Sequence, residues 1–397
     1  MFLYKISGDQ GNQPQACRCN DQGKGNFHLF NHQSNSCCAG EETALDYGGA
    51  AEADWVTGQI ETAVGAVYRI ATTLERRDML GAIKARWGVG RMSYTVPPGL
   101  YAAGNPDSSS PVLVSANYKL SFDSLRKELS GLNLWVLVLD TKGINVWCAA
   151  GKGTFSTEEV VRMVNATRLP ELVSNRILIM PQLSAPGVSA FEVRRRCGFK
   201  VVFGPVRAAD ISSFLNNGNR ADPAMRRTHF GLLDRLILTP VELTALAKPL
   251  AAFTLFLFLL NLFSLLFAGS SIQPAPLIGR TLSDLAPFLA AMLIGTVFVP
   301  ALLPYIPGRA LSWKGLILGL IWAGIYKGLL GSEIGLLQTT SYFLIIPAIT
   351  AFLGMNFTGS TTYTSLSGVV KEMKVALPLI IAAAGLGLIA LVAAYFI

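Results

Sequence analysis

The chain has 397 residues, 51% of them hydrophobic, and a mean hydropathy of +0.43, too apolar for an ordinary soluble protein, so part of it is assigned to lipid. The net charge of +8 comes without a helix-turn-helix, zinc-finger or stacked-aromatic module, which excludes nucleic acid as a partner. Basic residues flanking membrane segments account for the charge instead.

The N-terminus, MFLYKISGDQ, lacks the basic segment, apolar run and small-residue cleavage site of a secretory signal, which places the soluble part in the cytoplasm. Cys17, Cys19, Cys37, Cys38, Cys148 and Cys197 are then expected as thiols or metal ligands rather than as a disulfide framework. The first four, with His28 and His32, fall in a Gly, Asn and Gln-rich stretch of the kind that is poorly ordered on its own. Their C-x-C and CC spacing matches neither zinc nor iron–sulfur patterns. Residues 1–92 are read as a partly disordered N-terminal extension.

From about residue 111 to 217, short β-rich runs alternate with amphipathic runs of helical period, predicting an α/β layer structure with a mostly parallel sheet. PVLVS, NLWVLVLD, RILIM and KVVF are the strands; SFDSLRKEL, TEEVVRMVNAT and VSAFEVRRRC are the helices. Ser156 and Glu159 predict a capping box for the second helix, and Gly198 a C-cap for the third. In such folds ligands sit beyond the carboxyl ends of the strands.

One loop there stands out: residues 145–155, NVWCAAGKGTF. A thiol at a strand-to-helix turn, beside Lys152 and the positive end of a helix dipole, is expected to lean toward the metal-binding thiolate. Ala149, Ala150 and Gly151 leave room for a large flat macrocycle. The alternative is an inert, buried Cys148 acting as a small hydrophobe. A phosphate loop is not satisfied, because Val146 stands where its first Gly is required and Gly153 follows Lys152.

Residues 236–397 contain five apolar stretches, at 250–268, 285–306, 315–330, 336–355 and 375–397, most of them near the ~20 residues that cross a bilayer. Arg207, Arg220, Arg226, Arg227, Arg235 and Lys248 precede the first, Arg309 and Lys314 follow the second, and Lys371 and Lys374 precede the fifth. That alternation puts the soluble domain on the cytoplasmic face of the inner membrane. The central portions of the stretches carry no ionisable residue, which favours an anchor over a transporter or receptor. Gly315 and Gly319 predict close helix packing.

NVWCAAGK, residues 145–152, resembles the signature of the HgcA family of mercury-methylation corrinoid proteins. PPGLYAAGNP (97–106), VSANYKLSFDSLR (114–126), PQLSAPGVSAFEVRRRCGFKVVFGPVRA (181–208) and the apolar tail resemble the same family, so the likeness runs from about residue 94 onward. The same domain is similar to the corrinoid domain of the corrinoid iron–sulfur protein of the acetyl-CoA pathway, which lacks the cysteine. The resemblance implies a Rossmann-like corrinoid-binding domain over residues 93–235, followed by an all-α transmembrane domain of five helices over 236–397.

It also implies cobalamin as cofactor, with Cys148 as the lower axial ligand of cobalt, and methyl transfer from cobalamin to Hg(II) to form methylmercury. The alternative is a membrane-bound corrinoid methyl carrier of one-carbon metabolism with another acceptor. The implied partners are HgcB, a ferredoxin-like 4Fe-4S electron donor, a folate-linked methyl donor, Hg(II) and the lipid bilayer. Asn145, Trp147, Ala149, Ala150, Gly151, Lys152, Thr154 and Phe155 would line the lower face of the ring. Ser115, Asn117, Gln182, Ala185, Pro186, Gly187, Gly204, Pro205, Val206 and Arg207 would surround the displaced nucleotide tail. Asn117 could equally cap the following helix, Pro186-Gly187 form a turn, and Gly204-Pro205 end a strand. For the N-terminal cysteines three readings stay open: an oxidisable extension, a metal site formed on folding, and a thiol relay that delivers Hg(II).

Overall fold

The computed structural model describes residues 50–269, 273–330, 335–357 and 366–397; Cys17, Cys19, His28, His32, Cys37 and Cys38 lie outside them. One seven-stranded sheet is built from β1 (Val56–Thr62), β2 (Gly65–Ile70), β3 (Gly99–Ala103), β4 (Val112–Ala116), β5 (Leu134–Leu139), β6 (Ile177–Met180) and β7 (Lys200–Phe203), in the order β1-β2-β3-β5-β4-β6-β7. The four expected strands are β4 to β7, and each pairs parallel with its neighbour. Every residue of β4 and β5 is buried, as the unbroken apolar runs of strands covered on both faces require.

The sheet is nevertheless mixed. β3 runs antiparallel to β5, and the antiparallel hairpin β1–β2 adds to β3. That topology does not extend the Rossmann-like expectation to the whole sheet. Residues 56–70, which fall within the stretch read as an N-terminal extension, pair into the sheet as this hairpin. β1 sits at the edge and alternates half-buried with exposed positions, so VTGQIET lacks the apolar signal of a core strand.

The sheet is flanked by α1 (Arg76–Arg86), α2 (Lys119–Arg126), α3 (Val146–Lys152), α4 (Thr157–Ala166), α5 (Leu169–Leu172), α6 (Ala190–Cys197) and α7 (Ile211–Asn216). Residues of α3, α4 and α6 form one core with Val114, Leu137 and Leu178; Phe122 of α2 and Phe214 of α7 pack on the opposite face. Ser156 Oγ accepts the Glu159 N–H at 3.3 Å. The Glu159 carboxylate turns instead to the Asp140 N–H and Arg162, so the capping box is half made. Gly198 ends α6 at φ 78°, the left-handed conformation that glycine takes without a Cβ penalty. A buried ion network fastens α1 to α2: Lys119 meets Asp78 at 2.7 Å and Asp123 at 2.8 Å, and Arg126 meets Asp78 at 2.6 Å and Asp123 at 2.7 Å.

A helical region follows: α8 (Leu232–Leu236), α9 (Thr239–Ala245), α10 (Ala247–Phe267), α11 (Pro274–Leu293), α12 (Val299–Ala301), α13 (Leu311–Leu330), α14 (Leu336–Asn356) and α15 (Leu366–Phe396). A π-helical turn, Ile294–Phe298, makes α11 and α12 continuous. Among the described residues four helices are long and apolar enough to cross a membrane: Ala247–Phe267, Pro274–Ala301, Leu336–Asn356 and Gly368–Phe396. α13, the remaining one of the five expected spans, carries Lys314 and Lys327 and packs along α14. A Cβ on Gly315 would lie 2.2 Å from the Thr350 carbonyl oxygen, and one on Gly319 would lie 2.6 Å from Pro347 Cα, so both glycines are needed for this approach.

α11 starts earlier than expected. Pro274 occupies a first-turn position, where its missing N–H costs nothing, so the proline-containing stretch opens the helix. Asp284, which the sequence places at the edge of a span, therefore lies well inside one. The expectation that the spans hold no ionisable residue in their central portions is corrected here.

Candidate functional site

The parallel strands double back around β4, with β5 on one side and β6 on the other. Loops leaving the carboxyl ends of such strands diverge and leave a crevice where ligands bind. A cavity of about 410 Å³ occupies this place, lined by Ser115 from β4, Asn145, Val146 and Trp147 before and within α3, Pro181 and Leu183 after β6, and Gly204, Pro205 and Val206 after β7. Ser121, Ser124 and Leu125 of α2 and Ile211 of α7 extend the wall, and Phe230, Asp234 and Leu238 close it from the connection to the helical region.

That closing segment is fixed to the bundle. Arg235, 6% exposed, donates to the carbonyl oxygens of Pro300 and Ala301 at 2.9 and 2.7 Å, satisfying helix-end acceptors that have no partner within α12. Phe230 packs on Phe357 with ring centroids 6.3 Å apart.

The cysteine segment is a short helix rather than a loop. Asn145 is its N-cap, and Asn145 Oδ1 accepts the Cys148 N–H at 2.9 Å. Gly153 closes it in the left-handed conformation at φ 76°. Small residues and a glycine give VWCAAGK no amphipathic period, which is why its helix is not visible in the sequence. The approach to it is held by Asn117, whose Oδ1 accepts the Thr141 N–H, the Thr141 hydroxyl and the Gly143 N–H at 3.1, 2.9 and 3.1 Å, while its Nδ2 donates to Asp140. Asn117 therefore does not cap α2, which has no side-chain cap, and its bonding capacity is spent on the β5–α3 loop.

Cys148 is half-buried and sits one residue beyond the cavity wall, next to Trp147. Burial pushes its thiol above the ordinary value; Lys152, Asn145 and Arg91 pull the other way without prevailing. This corrects the expectation of a thiolate: the helix terminus and Lys152 are present, but desolvation outweighs them.

The expected site residues divide into groups. Ser115, Asn145, Trp147, Gly204, Pro205 and Val206 meet at the cavity. Ala149, Ala150 and Phe155 belong to the hydrophobic core. Gly187 is packed so closely that a Cβ would lie 2.2 Å from the Phe155 carbonyl oxygen, so it serves the backbone approach between two segments. Thr154 bonds back to the Ala149 carbonyl, and Ala185 and Pro186 form the turn after Gln182. Gly151, Lys152 and Arg207 are exposed and do not line the cavity.

Two polar atoms near this region are buried without a hydrogen-bond partner: Gln182 Oε1 and Tyr118 Oη. Sequence reasoning selected Gln182 through its segment and missed Tyr118, whose ring lies under the Arg91 guanidinium at 5.7 Å. It also missed Pro181, Leu183 and the Phe230–Leu238 roof, which are apolar and carry no motif. Among the described residues no three His, Cys, Asp or Glu side chains converge as a metal site. Cys197 donates to the Val193 carbonyl from within α6.

Comparison with known proteins bears on this half of the chain. Residues 54–215 match the family described as CO dehydrogenase/acetyl-CoA synthase delta subunit. Similar curated proteins include the acetyl-CoA decarbonylase/synthase complex subunit gamma of Methanocaldococcus jannaschii, 32% identical over 129 residues, which is 32% of this chain and 26% of that protein. The subunit gamma of Archaeoglobus fulgidus is 32% identical over 151 residues, 37% of this chain and 32% of that protein. That of Methanopyrus kandleri is 32% identical over 122 residues, 30% and 26% of the two. The chain thus spans between a quarter and a third of the length of these relatives, and its mixed-sheet domain is related to subunits of the acetyl-CoA complexes.

Proposed function

We propose that the chain is a membrane-tethered corrinoid methyltransferase that passes a methyl group from cobalamin to Hg(II), with Cys148 as the lower ligand of cobalt. The observation that carries this reading is the placement of a single half-buried cysteine in the first turn of α3, beside residues that form the wall of the cavity at the carboxyl ends of the parallel strands. Likeness to acetyl-CoA complex subunits supports the corrinoid.

The residues present fit such a group. One soft sulfur ligand that, among the described residues, has no two further His, Cys, Asp or Glu ligands beside it suits a metal already held in a macrocycle better than a bare ion. Gln182 Oε1 lacks a donor, and the cofactor's amide side chains would supply one; buried polar atoms without partners are costly. Asn145 fixes the backbone at Cys148, one residue from the cavity-lining Trp147. Arg91 and Lys152 favour loss of the thiol proton, which coordination to a metal completes. Cobalamin, when bound, supplies the cobalt that carries methyl between donor and acceptor. A folate-linked methyl donor, HgcB as the electron donor, a cytoplasmic orientation and passage of α13 through the bilayer belong to the same reading.

The likeness to acetyl-CoA decarbonylase/synthase subunits also favours a second reading, a membrane-bound methyl carrier of one-carbon metabolism with another acceptor. Full-length protein reconstituted with cobalamin tests the first. A visible spectrum of sulfur-ligated cobalt is expected, lost in Cys148→Ala, and methylmercury should form from thiol-bound Hg(II). An unchanged mutant spectrum removes the ligand assignment. A correct spectrum without methylmercury leaves the second reading.

A further inference from the structure

A second cavity, of about 860 Å³, is formed by the connection from α12 to α13 and the first turns of α15. Its wall includes Leu303 and Leu311, which cluster with Phe357 and pack on Phe230 and Leu238, the residues that close the first cavity. It therefore lies at the end of the bundle that meets the sheet domain. Tyr305 and Trp313 are exposed at this level, as aromatic side chains of a membrane interface are. Trp313 lies against the connection, since a Cβ on Gly308, at φ 98°, would stand 2.5 Å from its ring. Arg309, Lys314, Lys371 and Glu372 are the charged residues of the lining. Lys314 is 9% exposed, and its Nζ donates to the carbonyl oxygens of Leu303 and Ile306, which leaves one of its three ammonium hydrogens without an acceptor among the described residues. Glu372 Oε1 accepts the Ser312 N–H at 2.7 Å, a first-turn donor with no partner in its own helix.

We propose that this cavity binds the phosphate of an anionic phospholipid, with Arg309, Lys314 and Lys371 as its cationic ligands. Among the described residues no carboxylate lies within 4.0 Å of any of the three, so the lining carries three cations against one carboxylate that is already bonded to the backbone. Unpaired cations beside hydrocarbon are costly, and an anion brought by the ligand pairs them. The planar Arg309 guanidinium suits two phosphate oxygens at once, and basic pockets between membrane helices are where phospholipid headgroups bind. A lipid fits better than free phosphate because the apolar surface continues past the charges. Val375 lines the cavity, Leu379 follows one turn along α15, and both are exposed, so residues four apart on one helix face offer a track for acyl chains.

The site presupposes the membrane tether proposed above and is independent of the corrinoid. Full-length protein is inserted into nanodiscs of phosphatidylcholine and phosphatidylglycerol, and the lipids that stay bound on release are counted by native mass spectrometry. Phosphatidylglycerol should be retained in preference to phosphatidylcholine. Arg309→Gln and Lys371→Gln, both at exposed positions where the change strands no buried group, should each weaken that preference about fivefold, the effect of one basic residue at a membrane surface. Lys248→Gln removes an exposed cation at the start of α10 that is outside the cavity, and should leave the preference unchanged. Equal retention of the two lipids, or an equal loss in Lys248→Gln, overturns the site in favour of diffuse surface charge. Displacement of phosphatidylglycerol by inorganic phosphate overturns the lipid in favour of a soluble phosphate anion. Failure of the chain to float with lipid vesicles, read before any lipids are compared, removes the tether and the lipid site with it.

Discussion

The Oδ1 of Asn145 accepts the backbone N–H of Cys148 at 2.9 Å, so the residue that opens α3 is bonded directly to the cysteine that follows the cavity-lining Trp147. Replacing an N-cap Asn by Ala costs about 0.5–2 kcal/mol. Asn145→Ala should lower the unfolding temperature of the full chain and weaken cobalamin binding, whereas Asn145→Asp, which keeps the acceptor, should retain most of both. Equal cobalamin affinity in Asn145→Ala and wild type would show that the cap does not position the site.

The parallel part of the fold was legible because β4 and β5 are buried throughout, β6 nearly so, and the sequences of β4 to β7 are short apolar runs separated by amphipathic helices. The hairpin β1–β2 was not legible: an edge strand needs only one half-buried face, and Thr57, Gln59 and Glu61 conceal it. Within the site, motif and spacing led to Asn145, Trp147 and Gly204, which line the cavity, but not to Leu183, Phe230 or Leu238, since apolar lining residues read as ordinary core. The state of Cys148 was misjudged because Lys152 and a helix terminus can be read locally, while the burial that outweighs them depends on segments distant in sequence. Asp284 was misplaced for a similar reason: Pro274 and Pro276 resemble a connection, yet they lie in the first turn of a helix.

Asn117 provides a second test of how the site is positioned. It is 5% exposed, and its Oδ1 satisfies two backbone N–H groups and one hydroxyl of the β5–α3 loop. Asn117→Ala leaves those donors buried and unpaired, at about 1–3 kcal/mol for such a group. A drop in unfolding free energy of that order is expected, together with faster amide exchange at Thr141 and Gly143. A tail-binding residue with no structural part would lose cobalamin affinity alone, with exchange unchanged.

The Cys148 thiol, raised by burial, fixes the sign of a pH dependence. With the pKa above its unfolded value of about 8.5, less thiolate exists at neutral pH than for an ordinary cysteine. Alkylation at Cys148, followed on its own peptide by mass spectrometry, should be slower than for a model thiol and should accelerate only in more alkaline solution. The folded chain keeps this proton where the unfolded chain releases it. The associated stability is therefore complete below the unfolded pKa and disappears as pH climbs through the folded one. Alkylation as fast as a free thiol at neutral pH would contradict the burial.

Gly319 tests the packing of the bundle. A Cβ there would meet Thr350 Oγ1 at 2.1 Å and Pro347 Cα at 2.6 Å, and Gly315 faces the Thr350 backbone just as closely. The Thr350 hydroxyl has rotamer freedom to retreat, but the Pro347 backbone does not, so α13 must move away from α14 to admit even a methyl group. Overpacking of this kind costs about 1–3 kcal/mol, occasionally more, and a larger side chain costs correspondingly more. Gly319→Ala should lower the thermal stability of the purified full-length protein in lipid, and Gly319→Leu should abolish disulfide cross-linking between cysteines introduced on the facing sides of α13 and α14. Gly324, which has open space where its Cβ would stand, supplies the control: Gly324→Ala leaves cross-linking intact and replaces a poor helix former with a good one. If Gly319→Leu cross-links as efficiently as wild type, α13 does not pack against α14, and the proposal that α13 passes through the bilayer beside the four helices long and apolar enough to cross it fails with it.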